Sequence, residues 1–199
     1  EAPPPAGARE RLIDLYDAEI LANDAAFGDL LAGLEERGLL ETSWIVVLSD
    51  HGEEFYDHGD WQHGHTLHVE QLAVPLIIRP PGGVDGVRRT EIVEHVDLLT
   101  TLLEVLGLEP PTVTQGHSLA SLLGPGPAPG GWTDHAVAQV RLRGVTAASR
   151  VDPTGRWKTI VRAWDGVHGA PRLYDLREDP RERSEDAFYD LGPLRRCVR

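Results

Sequence analysis

The 199-residue chain carries 32 acidic residues against 19 Lys and Arg, a formal net charge of -13 that argues against nucleic acid or an anionic membrane surface as its main partner. Its 41% hydrophobic content can fill a real core, yet no window approaches the roughly 18 consecutive apolar residues that a membrane span requires. Cys197 is the single cysteine, which excludes an intrachain disulfide, and its place in an Arg-rich terminus marks it as an exposed thiol without a catalytic part.

The opening EAPPPAGA, residues 1–8, is too proline-rich for a helix or a central strand and reads as a linker. From Arg9 onward Leu12, Leu15, Tyr16, Ile20, Phe27, Leu30, Leu31 and Leu34 recur at spacings of three and four, which predicts a long amphipathic helix with Gly38 as its C-cap. Trp44 to Leu48 is a short apolar run without polar alternation, as expected for a strand buried on both faces of a parallel sheet. A second such run lies within Val74 to Gly83. Glu94 to Leu108 places Val96, Leu99, Leu102, Leu103 and Leu106 on one face, with Asp97 near its start and Gly107 near its end, and is read as a helix. Helices alternating with apolar strands indicate an α/β layer fold.

The glycine, proline and alanine stretch from Gly124 to Gly131 suits an exposed connection, so a boundary is placed there, with one domain over 1–125 and a small α+β subdomain over 126–199. Beyond it HAVAQV, VTAASR and KTIVRAW have strand composition and would suit a small antiparallel sheet. The run RLYDLREDPRERSEDA is charged and poorly periodic.

Chemistry concentrates between Leu48 and His68, where His51, His58, His63, His65 and His68, five of the nine histidines, mingle with Asp50, Glu53, Glu54, Asp57 and Asp60. Asp50 and His51 follow directly on the apolar run, and ligands of open α/β sheets sit just outside the carboxyl ends of strands. A carboxylate oxygen and an imidazole nitrogen side by side can share one divalent cation, and Gly52 lets the backbone turn closely around it. Two ligands are too few for zinc or calcium, so other donors are required. A solvated, charge-rich surface loop remains the competing reading of this composition.

The stretches YDAEILAND, IVVLSDHGEEF, HGHTLHVEQLAVPLIIRPPG, VEHVDLLTTLLEVLGL, GHSLASLL and RLYDLREDPRE resemble, in order, successive landmarks of the sulfatase family in the alkaline phosphatase-like superfamily. The resemblance implies an α/β fold, part of a sulfatase/alkaline phosphatase-like sandwich with a small C-terminal antiparallel subdomain, and cleavage of sulfate monoesters of a sulfated small molecule or carbohydrate. It implies that Asp50 and His51 are ligands of the active-site cation. It also implies that His65, the basic residue after the glycine, contacts the sulfate and helps the ester oxygen leave. Histidine here, where many relatives have lysine, keeps a proton donor. Calcium is the usual inference from the resemblance, although an imidazole ligand suits manganese or zinc better, and magnesium is an alternative. Glu53, Glu54, His58, His63 and His68 are read as supporting or solvent-facing, His95 and Asp97 as helix-start chemistry, and Arg79 as structural.

Two family features have no match. No Cys-or-Ser, x, Pro, x, Arg motif occurs to supply a nucleophile, and no adjacent Asp-Asp pair occurs to complete the metal shell. The chain also lacks methionine, even at position 1, and Glu1 opens no charged-then-apolar leader. It is therefore expected to be the C-terminal part of a longer enzyme, inactive alone, whose relatives are often exported or periplasmic. Phosphoryl-group hydrolases or transferases of the same superfamily form one alternative, and a noncatalytic metal-binding or interaction module another.

Overall fold

The computed structural model describes residues 4–83, 86–109, 111, 113–128, 132, 135–142, 145–164 and 167–184. Cys197 lies outside them. The chain divides into two compact units, Glu1–His63 with Glu70–Val84, and Gly64–Val69 with Asp85–Arg199.

The first unit opens with helix α1, Ala8–Glu36. Its end follows the expected cap: Gly38 takes φ 67, its N–H donates to Glu35 O at 2.9 Å, and Leu39 N–H donates to Leu34 O at 2.9 Å. This Schellman arrangement needs a left-handed residue, which glycine supplies without a Cβ penalty. The last turn holds no basic residue to offset the carbonyl end of the helix, but Arg37 Nη1 reaches back to Gly33 O at 2.6 Å. The apolar stripe read from the sequence is present but only partly covered, at Phe27, Leu31 and Leu34. No residue of α1 is buried, and Leu15, Ile20 and Leu30 are each more than half exposed.

A 3-10 turn at Leu40–Thr42 leads into β1, Ile45–Leu48, which pairs with β4, Leu76–Arg79. Both apolar runs thus form strands, but the pair is antiparallel, with Ile45 opposite Arg79 and Leu48 opposite Leu76, and it is not buried on both faces. A parallel pair needs a crossover helix. Between these strands the chain instead makes a short hairpin, β2 Glu54–Phe55 with β3 Trp61–Gln62, and a four-residue helix α2, Val69–Leu72, so it returns alongside β1 in the opposite direction. Arg79 is structural, as expected: it donates to Leu40 O and pairs with Glu41 Oε1 at 3.0 Å.

The second unit holds every fully buried apolar side chain found among the described residues: Leu67, Leu119, Leu122, Ala147, Ile160, Leu173 and Tyr174. Helix α3, Val96–Val105, ends in a second Schellman cap at Gly107, with Leu108 N–H donating to Leu103 O. Its start is pinned by Asp97, fully buried, whose Oδ2 accepts from Glu94 N at 2.7 Å and Oδ1 from His117 N at 2.8 Å. Asp97 thus serves the helix start, and also ties it to the Gly116–His117 segment. A Cβ at Gly116 would fall 2.1 Å from Val96 O, so only glycine fits there.

The three stretches with strand composition become β5 Val137–Leu142, β6 Val145–Val151 and β7 Trp157–Trp164 of an antiparallel sheet. The short β8, Val167–His168, and β9, Arg172–Asp175, also pair with β7. β9 arises inside the run read as poorly periodic, where Lys158 stands opposite Tyr174 and Trp157 opposite Asp175. Buried Asp152 sets the β6–β7 turn by accepting from Arg156 N and Trp157 N. No helix among the described residues is long and apolar enough to cross a membrane.

Candidate active site

Asp50 and His51 leave the carboxyl end of β1 in a turn fixed by local bonds. Ser49 Oγ donates to His51 O at 2.6 Å, and Asp50 Oδ1 accepts from His51 N at 3.0 Å. The Asp50 side chain is 87% exposed. His51 Nδ1 lies 2.9 Å from Gly52 O, and since a carbonyl only accepts, Nδ1 carries the proton. In the neutral ring, the form that binds a cation, Nε2 is then the lone-pair nitrogen, and it stands 3.7 Å from Asp50 Oδ2. A histidine that donates its other ring N–H to a carbonyl is the arrangement that orients metal-binding imidazoles.

The ring of His51 is held from the side by His63, stacked at a centroid distance of 3.8 Å and an interplanar angle of 25°. His63 Nδ1 pairs with Glu53 Oε2 at 3.0 Å. Below this layer the backbone is clamped: Gly52 N–H donates to Gln71 O at 2.9 Å, and a Cβ at Gly52 would sit 1.9 Å from Glu70 O. Glu54 is 1% exposed and accepts from the backbone N–H groups of His58 and Asp60 through Oε1 and from Gln71 Nε2 through Oε2. His58 pairs with Glu70 at 2.7 Å. Asp57 accepts from Phe55 N and from Arg9 Nη2. Most of the acidic and imidazole groups in this stretch therefore build the loop. The structure brings Asp50 and His51 together in the first unit.

His65 belongs to the second unit, half-buried in the segment Gly64–Val69, just ahead of buried Leu67 and His68. His68, read from the sequence as supporting or solvent-facing, is buried rather than facing solvent. Its Nδ1 lies 2.8 Å from Glu182 Oε2, whose other oxygen accepts from Lys158 Nζ at 2.6 Å. Burial pushes the Glu182 carboxyl up, but the His68 hydrogen bond and the Lys158 charge outweigh it and hold the group below its ordinary value.

Among the described residues no group of three or more His, Cys, Asp or Glu side chains is disposed to hold a metal ion. The donor set at the end of β1 fits a divalent cation as far as it goes, with one open carboxylate and one imidazole nitrogen, and a complete shell needs donors beyond this pair.

Known proteins give the class first. The structure matches sulfatases of the alkaline phosphatase-like fold, so the α/β scaffold read from the sequence is of that type. Residues 2–108 match the Sulfatase family, and residues 57–190 match the family described as N-sulphoglucosamine sulphohydrolase, C-terminal. The chain belongs to the sulfatase family. It is 29% identical to an arylsulfatase K of Xenopus laevis over 173 residues, which are 84% of this chain and 32% of that protein. A protein solved in complex with its substrate D-glucosamine-2-N,6-O-disulfate aligns with a TM-score of 0.68 at 28% identity, over 83% of this chain and 34% of that one. The phosphonate monoester hydrolase of Silicibacter pomeroyi aligns with a TM-score of 0.62 at 26% identity, over 77% and 32%. The chain spans about a third of the length of the curated relatives it matches.

Proposed function

We propose that this chain forms the C-terminal portion of a sulfate monoester hydrolase acting on sulfated carbohydrates or small molecules. In this reading Asp50 and His51 are two ligands of a divalent cation, and His65 protonates the leaving ester oxygen. The observation that carries the proposal is the 3.7 Å approach of His51 Nε2 to Asp50 Oδ2, with Nδ1 already committed to Gly52 O. Family membership and the neighbour solved with a sulfated glucosamine support the substrate class.

Each residue then has a defined task. Asp50 contributes negative charge from an exposed carboxylate, and His51 a neutral nitrogen whose direction is set by Gly52 O and by the His63 ring. Calcium is the first candidate, with manganese, zinc and magnesium as the others. When bound, the ion supplies charge compensation for the nonbridging ester oxygens. His65 hands its proton to the departing oxygen, so no free alkoxide forms. The nucleophile and the remaining ligands come from outside residues 1–199, and the chain alone is expected not to turn over sulfate esters.

Titration with Mn2+ followed by NMR line broadening tests the cation half without any activity assay. Broadening centred on Asp50 and His51 and removed by Asp50→Ala supports the reading. Broadening spread evenly over His58, His63, His65 and His68, and indifferent to Asp50→Ala, refutes it in favour of a noncatalytic metal-binding module.

A phosphoryl-group hydrolase is the second reading, favoured by the likeness to the phosphonate monoester hydrolase. The coding DNA upstream of Glu1 decides between them. A Cys-or-Ser, x, Pro, x, Arg motif there supports the sulfatase, and a plain threonine or serine nucleophile supports phosphoryl chemistry.

A further inference from the structure

The segment that carries His65 belongs to no strand or helix before Val69, and its side chains help decide where it sits. Two of them are sunk into the second unit, Leu67 at 3% and His68 at 2% exposure. His68 is the polar anchor. It shares the Glu182 carboxylate with Lys158, itself 3% exposed, and its ring meets Tyr174 edge-on at 5.7 Å. Tyr174 in turn stands opposite Lys158 in the β7–β9 register, so His68, Glu182, Lys158 and Tyr174 form one buried cluster spanning 114 residues of sequence between its histidine and its glutamate.

Glu182 is unusual in its backbone as well as its burial. It takes φ 54, the left-handed region that a residue with a Cβ occupies at a cost, and it does so with a carboxylate that is 2% exposed. A buried ion triad is a poor device for stability alone, since apolar residues of similar volume often serve as well or better. What it does supply is direction. A carboxylate bonded on one oxygen to Lys158 and on the other to His68 admits one placement of the His68 ring, and His65 is three residues away on the same short segment.

We propose that Glu182 and Lys158 are positioning residues for the sulfate-ester site, fixing the segment Gly64–Val69 through His68 and thereby orienting the His65 imidazole. The C-terminal sheet, which carries none of the proposed reacting groups, acts on His65 by this route within the second unit. The proposal rests on the reading of His65 as the leaving-group acid.

The test compares the 199-residue chain with its Glu182→Gln, Lys158→Met and Lys158→Arg variants by amide hydrogen exchange and by the ring 1H–15N signals of His65. In Glu182→Gln and Lys158→Met, exchange at Thr66–His68 is expected to rise roughly tenfold or more, and the His65 ring signals to shift or broaden, while β5 and β6 keep their protection. Lys158→Arg is expected to restore both. A folded variant with unchanged exchange and an unchanged His65 ring overturns the proposal. So does a loss of protection spread evenly over β5–β7, which would make the cluster a general support of the sheet. If Glu182→Gln does not fold, Lys158→Met alone decides. Inorganic sulfate added to the unmodified chain separates the two ideas. A His65 ring that responds to the variants but ignores sulfate keeps the anchoring and refutes the sulfate-ester reading.

Discussion

Replacing Gly52 by alanine should damage the site loop by a mechanism that can be worked through in ångströms. The added Cβ would lie 1.9 Å from Glu70 O, 2.9 Å from Glu70 C and 3.2 Å from Gln71 Cα. All three atoms are backbone, so no side chain can swing away, and the two strands of chain must part by about 1.1 Å before the carbon reaches even the tightest tolerated contact. That separation breaks the Gly52 N–H to Gln71 O bond, now 2.9 Å. Overpacking of this kind costs about 1–3 kcal/mol. The lost hydrogen bond adds about 1 kcal/mol, for a total of about 2–4 kcal/mol. Urea denaturation followed by tryptophan fluorescence reads the change, with Trp44 and Trp61 flanking the loop in sequence. Gly28→Ala is the companion variant, because it lies inside α1 with nothing within 4 Å of its added Cβ. It should raise helix stability by about 0.5–1 kcal/mol, read by circular dichroism. A Gly52→Ala chain within about 0.5 kcal/mol of the parent would refute the clamp.

Asp97→Ala should destabilise the second unit by about 2 kcal/mol, because the part-buried N–H groups of Glu94 and His117 lose their fully buried acceptor; thermal unfolding checks it, and Asp97→Asn, with one acceptor oxygen, should fall between. The lowered Glu182 carboxyl makes stability depend on acid. Its folded value lies below its unfolded one, so its contribution is complete above the unfolded carboxylate range and is lost as pH falls through the folded value, with a limiting slope of about 1.4 kcal/mol per pH unit. Glu182→Gln should flatten that acid limb in pH-dependent urea melts, and an unchanged limb would contradict the assignment.

Much of this architecture could be read from the chain because local chemistry decides it. The spacing of Leu12, Leu15 and Leu34 gives a helix, and Gly38 and Gly107 end helices because each sits at a left-handed cap. The position of Asp50 and His51 at the carboxyl end of a strand was legible because they follow an apolar run at once. The direction of β1 against β4 was not, since a four-residue apolar strand looks the same whichever way its partner runs. Exposure was misjudged for a related reason: apolar patterning states what a face prefers to meet, and says nothing of whether it meets it. The anchor of the His65 segment was the least accessible, because Glu182 lies in a charged run without period, and only the fold joins it to His68.

Helix α1 carries a thermodynamic consequence. It has 29 residues, no tryptophan and no buried side chain, and among the described residues its side chains meet the site loop at the edge contact of Tyr16 with Phe55 and the bonds of Arg9 to Phe55 O and Asp57, so its folding is weakly coupled to that loop. Ellipticity at the helix band and tryptophan emission therefore report two different equilibria. The ellipticity should fall over a broad range of temperature and start first, while the emission follows the steeper unfolding of the tryptophan-bearing loop and strands, and a calorimetric enthalpy for the chain should exceed the van't Hoff value drawn from either curve.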